Sequence, residues 1–185
     1  MPDLFSWIAP LYDRIISSPV REKLSWIDLG REGLVIDVGG GTGRVARVLK
    51  SEAKVIVVDP SFGMLVRAKG KGLMACCARA EALPFAPGVA DAAIVVDAFH
   101  HFEDHLQAAK ELMRVLKKGG KLFLEEPDIT NFAVKVIALG ERLLLMRSRF
   151  YDFKALVSFF LALDGHLLWA QKRGGFLRLT IKKGR

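Results

Sequence analysis

Cysteine is nearly absent from this 185-residue chain: there are two, and they are neighbours, Cys76-Cys77. Adjacent strand residues point to opposite faces, so this pair makes a poor disulfide and a poor metal site. Both read as small buried residues of a protein kept in a reducing compartment. No uninterrupted apolar run reaches about 18 residues, so a membrane-spanning helix is not expected. Pro2, Asp3 and Pro10 interrupt the early apolar stretch, so no secretory leader is expected and the expected location is cytoplasmic. Repeats and low-complexity linkers are missing, and one domain over residues 1–185 is expected. His100-His101 and Glu103-Asp104 give no ligand spacing that would hold a metal, so none is expected.

Acidic residues are scarce in one region only. Of 28 Lys/Arg and 20 Asp/Glu, residues 131–185 hold 11 and 3, leaving a balanced 17 and 17 before them. The net charge of +8 therefore belongs to the last third. There Lys135, Arg142 and Arg149 recur every seven residues, with Phe132, Val136, Ile137, Leu143 and Leu144 set apart from them. That is the pattern of a basic amphipathic helix over 132–149, which could rest on an anionic membrane, receive a lipid-like substrate, or simply show a wet face over a buried one. The basic residues lack interleaved aromatics, so no nucleic-acid partner is expected.

What the chain does have is Val35-Ile-Asp-Val-Gly-Gly-Gly-Thr-Gly43, a strand-like run ending in a glycine cluster that opens a helical pattern. Gly39, Gly41 and Gly43 let the backbone take positive φ and let a ligand come close. The dinucleotide fingerprint needs a further glycine where this chain has Arg44. Asp37 before the glycines suits a cofactor with a positive amino group and would repel a pyrophosphate. Asp59 ends the next strand, twenty residues beyond Gly39. A carboxylate there accepts from both hydroxyls of a ribose, although it could instead cap the following helix.

The strand and helix signals alternate. Strands are expected at Leu34–Val38, Lys54–Val58, Leu73–Cys77, Ala92–Val96 and Lys121–Glu125, and helices at Gly43–Lys50, Phe62–Lys69 and Glu103–Leu116. An N-terminal helical region, Asp3 to Leu29, precedes them. This order predicts an α/β fold with a parallel sheet covered on both faces. His166–Gln171 and Phe176–Ile181 are joined by a link too short for a crossover, so they form an antiparallel hairpin.

Asp37 to Gly43, Val58-Asp-Pro-Ser-Phe-Gly-Met-Leu65, Ala80-Glu-Ala-Leu-Pro-Phe85, Asp91 to His101 and Arg114 to Gly120 together resemble the class I S-adenosylmethionine-dependent methyltransferases. The resemblance is greatest to the branch of ubiquinone/menaquinone-biosynthesis C-methyltransferases. It implies a doubly wound, Rossmann-like, seven-stranded sheet closing in an antiparallel hairpin, with S-adenosylmethionine as cofactor. It also implies a small-molecule methyl acceptor. By motif, Gly39, Gly41 and Gly43 would carry the methionine part and Asp37 its amino group. Asp59 would hold the ribose, Pro60 and Met64 the adenine, and Ala80 and Glu81 its other edge. Tyr12-Asp13 resembles a pair that folds over the cofactor. Arg79 departs from the family, which usually carries an adenine-accepting Asp there.

Asp97, His100 and His101 follow the fourth strand, where ligands bind in such sheets, so Asp97 and His101 are candidate bases and Asp97 a candidate cofactor contact. Glu125-Glu126 could line the acceptor pocket, with one of the two facing a helix layer or solvent. An acceptor lid is expected from residues 1–29 and from an insert at 127–150. Both are apolar, which favours a hydrophobic acceptor. A non-catalytic cofactor-binding regulator and a nicotinamide oxidoreductase are the rival readings.

Overall fold

A computed structural model describes residues 24–30, 33–143 and 148–184. Tyr12, Asp13 and most of the expected N-terminal lid lie outside the described residues. Seven strands form one sheet: β1 (Leu34–Val38), β2 (Lys54–Asp59), β3 (Met74–Cys77), β4 (Ala90–Val96), β5 (Leu116–Pro127), β6 (Gly165–Arg173) and β7 (Phe176–Lys183). Their order is β3-β2-β1-β4-β5-β7-β6, with β1 to β5 parallel and β7 antiparallel to both β5 and β6. The expected hairpin is therefore present. The chain winds outward from β1 to β3, then returns to lay β4 on the other side of β1. That reversal sends the helices after β1 and β4 to opposite faces of the sheet, and in such sheets ligands bind at the carboxyl edge of this point.

The helices are α1 (Arg44–Leu49), α2 (Phe62–Gly70), α3 (His105–Val115), α4 (Phe132–Leu143) and α5 (Phe153–Leu161), with a 3-10 turn at Phe99–His101. Alternate residues of each strand feed opposite cores. Val35, Val57, Ile94 and Phe123 pack with Val45 and Leu49 of α1, Leu65 of α2, and Leu24 and Ile27. Ile36, Val38, Val95 and Leu124 pack with Leu112 of α3 and Phe160 of α5. Burial on both sides explains why β1 reads as an almost unbroken apolar run.

Four expectations change. Helix α5 was not anticipated, because Phe153-Lys-Ala-Leu-Val-Ser-Phe-Phe-Leu161 is apolar nearly all round, which blurs its period. Its start is nonetheless marked, since Asp152 accepts from the Ala155 N–H at 2.8 Å. The seven-residue basic pattern breaks as well: Arg149 is not helical, and its N–H donates to the His100 carbonyl at 2.8 Å. Apolar Phe132, Val136 and Leu139 of α4 face outward, while Val134 is buried. Finally, Cys76 is only half-buried and Cys77 exposed, because β3 is an edge strand. Among the described residues, no helix is long and apolar enough to cross a membrane, and no cluster of His, Cys, Asp and Glu could hold a metal.

Candidate active site

The three positive-φ glycines of the loop after β1 have three separate reasons to be glycine. A Cβ on Gly39 (φ 71°) would come 2.5 Å from the Cβ of Ala98, so this glycine lets the loops after β1 and β4 touch. A Cβ on Gly43 (φ 74°) would come 2.3 Å from Leu73 Cδ1, so this one lets α1 pack on the core. Gly41 (φ 55°) faces open space, with only Asp59 Oδ2 at 4.0 Å. It is the loop position where a ligand can approach bare backbone. Gly43→Ala combines a left-handed alanine with overpacking, about 2–4 kcal/mol together. Thermal unfolding of that variant is expected on the order of 10 °C lower, and an unchanged midpoint would disprove the packing role.

Asp59 braces this loop. Its Oδ2 accepts from the Gly41 N–H at 2.9 Å and its Oδ1 from the Ser61 N–H at 2.8 Å. Ser61, not Asp59, is the N-cap residue of α2. A carboxylate oxygen carries two lone pairs, so an N–H bond to it does not by itself prevent it from accepting a ribose hydroxyl.

Asp37 is the unusual group. It is 1% exposed, and burial raises its pKa from 3.8 to about 7, against the Ala46 N–H and Arg44 and with a further push from Asp59. Its Oδ2 is buried with no hydrogen-bond partner among the described residues. The same oxygen would lie 2.7 Å from a Cβ on Gly40, so it sits directly beneath the loop. An acceptor buried without a donor is costly in a folded protein. A ligand ammonium would supply the missing donor and charge. This orphaned oxygen, beside the open backbone at Gly41, fits the amino-acid end of S-adenosylmethionine.

The remaining expected residues divide. Asp97 ends β4 in the left-handed region (φ 56°), its N–H held by the Glu125 carbonyl at 2.8 Å. It adjoins Ala98 and hence the Gly39 contact. Pro60 is exposed, whereas Met64 is 2% exposed and offers a ligand almost no surface. Ala80 is buried in the core. Glu81 is directed toward the start of α3: its Oε1 accepts from the Glu103 N–H at 2.7 Å and the Asp104 N–H at 3.2 Å. Arg79, the departure from the family pattern, spends its guanidinium on Glu81 and on Glu103 at 2.7 Å.

His100 is 3% exposed and its Nδ1 lies 2.6 Å from Glu126 Oε2, a structural pairing. His101 is pushed down to about 3 by burial and then by its neighbour His100, so it stays neutral near pH 7. A group of such low basicity captures a proton poorly, which weighs against its use as a base. Its Nδ1 lies 3.0 Å from Ser148 Oγ. Glu125 and Glu126 go to opposite faces. Glu125 pairs with Arg178, while Glu126 Oε1 accepts from Ala98 and Phe99 N–H at 2.9 and 2.6 Å. Its Oε2 accepts from the His100 N–H at 3.2 Å. The anchoring role of Glu126 was missed. The only available signal was the alternation of the pair, which says that the two face apart and not what either meets.

Residues 36–124 match the methyltransferase domain family. In that match and in its fold the chain is similar to the class I methyltransferases. That family's methyl donor is S-adenosylmethionine. The chain is 35% identical over 140 residues to the demethylmenaquinone methyltransferase of Thermus thermophilus, covering 66% of this chain and 64% of that one. It is 29% identical over 153 residues to the ubiquinone/menaquinone biosynthesis C-methyltransferase of Geotalea uraniireducens, covering 70% and 65%. The chain thus spans a little under two thirds of each of these relatives. Among solved structures, a Thermotoga maritima protein described as a possible histamine N-methyltransferase superimposes with TM-score 0.84 at 23% identity, covering 99% and 100%. The protein bound to the Trm112 methyltransferase activator of Haloferax volcanii gives 0.86 at 14%, covering all of both chains. At these identities the structural likeness speaks to the fold.

Proposed function

We propose that this chain transfers a methyl group from S-adenosylmethionine to a small hydrophobic acceptor. The observation that carries the reading is the donorless Asp37 oxygen under a loop whose bare backbone at Gly41 is braced by Asp59. Asp37 would hold the ammonium of the methyl donor and Asp59 its ribose hydroxyls. When bound, the donor supplies an electrophilic methyl group on sulfur. Alignment and exclusion of water then supply most of the acceleration, with no covalent help required. Asp97, just after β4 beside the Gly39–Ala98 contact, would face the acceptor side. With His101 neutral and poorly basic, the acceptor best suited to this site gives up its proton readily, as a phenol or hydroquinone does.

The quinone-methylating relatives support that class of acceptor. So do the outward-facing Phe132, Val136 and Leu139 on the insert, an apolar stripe at helical spacing. We take residues 1–185 as one catalytic domain, with the 127–150 insert over the acceptor side.

Calorimetry with S-adenosylhomocysteine beside NAD is the direct test. Wild type is expected to bind S-adenosylhomocysteine and ignore NAD. Asp59→Ala is expected to lose about tenfold or more in affinity, through the ribose and the slackened loop. Tight NAD binding with no response to S-adenosylhomocysteine would overturn the proposal. Transfer of labelled methyl to a reduced naphthoquinone then separates an enzyme from a silent binder.

A further inference from the structure

A second cavity lies away from the glycine loop, on the β5–β7–β6 face of the sheet. It has a volume of about 530 Å³, and its walls include Trp26, Lys121, Phe123, Trp169, Arg173 and Arg178. That is within the size range of small-molecule sites. Phe123, Thr180 and Trp169 are register partners across three strands, so they stand in one row on one face. No wall residue belongs to the 37–43 loop or to β2, and β4 separates the cavity strands from β1.

The lining has a definite chemistry. Trp26 and Trp169 are nearly parallel, 17° apart with centroids at 6.4 Å, and Phe123 meets Trp26 edge-on at 6.0 Å. The Arg178 guanidinium lies 5.7 Å from the centre of the Trp26 ring. Such rings and cations both favour a flat π surface. Charge is one-sided: Lys121, Arg173 and Arg178 face a single wall acid, Asp28. Lys121 is paired with Asp28 at 3.1 Å, and Arg178 with Glu125 behind it. Arg173 has no ion pair among the described residues. The whole β6–β7 hairpin carries Lys172, Arg173, Arg178, Lys182 and Lys183 without one Asp or Glu. Trp26 Nε1 is buried with no acceptor among the described residues.

We infer that this cavity is a second binding site, for a planar aromatic ring bearing a carboxylate or phosphate. The ring lies against the tryptophans and the anion meets Arg173. This proposal is independent of the methyl-transfer reading.

The test uses the full chain, with tryptophan fluorescence and calorimetry. The probes are 2-naphthoate and AMP, with 2-naphthol and adenosine as neutral controls. Saturable sub-millimolar binding of either anion is expected, with the neutral counterpart at least about tenfold weaker. Trp169→Ala and Arg173→Glu, both at exposed positions of the edge strand, are expected to weaken it by a similar factor while circular dichroism stays unchanged. Asp59→Ala and saturating S-adenosylhomocysteine are expected to leave it intact. Binding of 2-naphthoate alone assigns an aromatic carboxylate, and binding of AMP alone a nucleotide. The proposal fails if neither anion saturates, if the neutral compounds bind equally well, or if S-adenosylhomocysteine displaces the probe.

Discussion

Asp37→Asn is expected to stabilise the ligand-free protein above neutral pH while weakening S-adenosylhomocysteine binding about 10- to 100-fold. The two effects share one cause, the cost of an ionised carboxylate with a donorless oxygen. Folding raises the Asp37 pKa from 3.8 to about 7. A raised acid pKa means that the folded state prefers the protonated form. Its contribution to stability is therefore complete below about pH 3.8 and is lost as pH rises through 7. The interval corresponds to an upper bound on the order of 4 kcal/mol. The melting temperatures of wild type and Asp37→Asn should thus agree near pH 4, diverge as pH rises toward 7 and stay apart above it, the variant melting about 5–10 °C higher at pH 8. A bound ammonium favours the carboxylate, so wild type should also release a proton on binding at pH 6 and almost none at pH 8.5. Equal S-adenosylhomocysteine affinity in the two proteins would remove Asp37 from the site.

Glu126→Ala carries the largest expected loss of stability. The carboxylate is 4% exposed and receives the N–H groups of Ala98, Phe99 and His100 together with His100 Nδ1. Alanine strands all of them. Breaking a buried ionisable pair costs about 3–5 kcal/mol, which corresponds to a melting point on the order of 10 °C lower. Gln keeps one carbonyl acceptor and should recover part of the loss. Because the turn carries Asp97 and rests on Gly39, S-adenosylhomocysteine affinity should fall with stability in both variants. A melting point within about 2 °C of wild type for Glu126→Ala would refute the anchoring role.

The parts of this protein that could be read from its residues are those with a local signature. The glycine run, the acids at the ends of β1 and β2, and the short link between β6 and β7 each reduce to backbone geometry or to reach along a chain. What escaped depends on partners far apart in sequence. Glu126 and the 98–100 turn are separated by more than twenty positions, and a strand-end acid reads the same whether it meets solvent, a ligand or backbone N–H groups. His101 carries an ordinary imidazole whose low basicity comes from its enclosure and from His100. The seven-residue spacing of Lys135, Arg142 and Arg149 assumes one continuous helix, and Arg149 is not helical. Met64 occupies a motif position, yet its surface is taken up inside the fold.

The contact between Gly39 and Ala98 limits how such a catalyst can diversify. A single methyl group sets the spacing of the two strand mouths, and any larger residue at either position would wedge them apart. The floor of the cleft is thus nearly incompressible and common to whatever molecule lands on it. New specificities have to be written overhead, in the segments that roof the sheet.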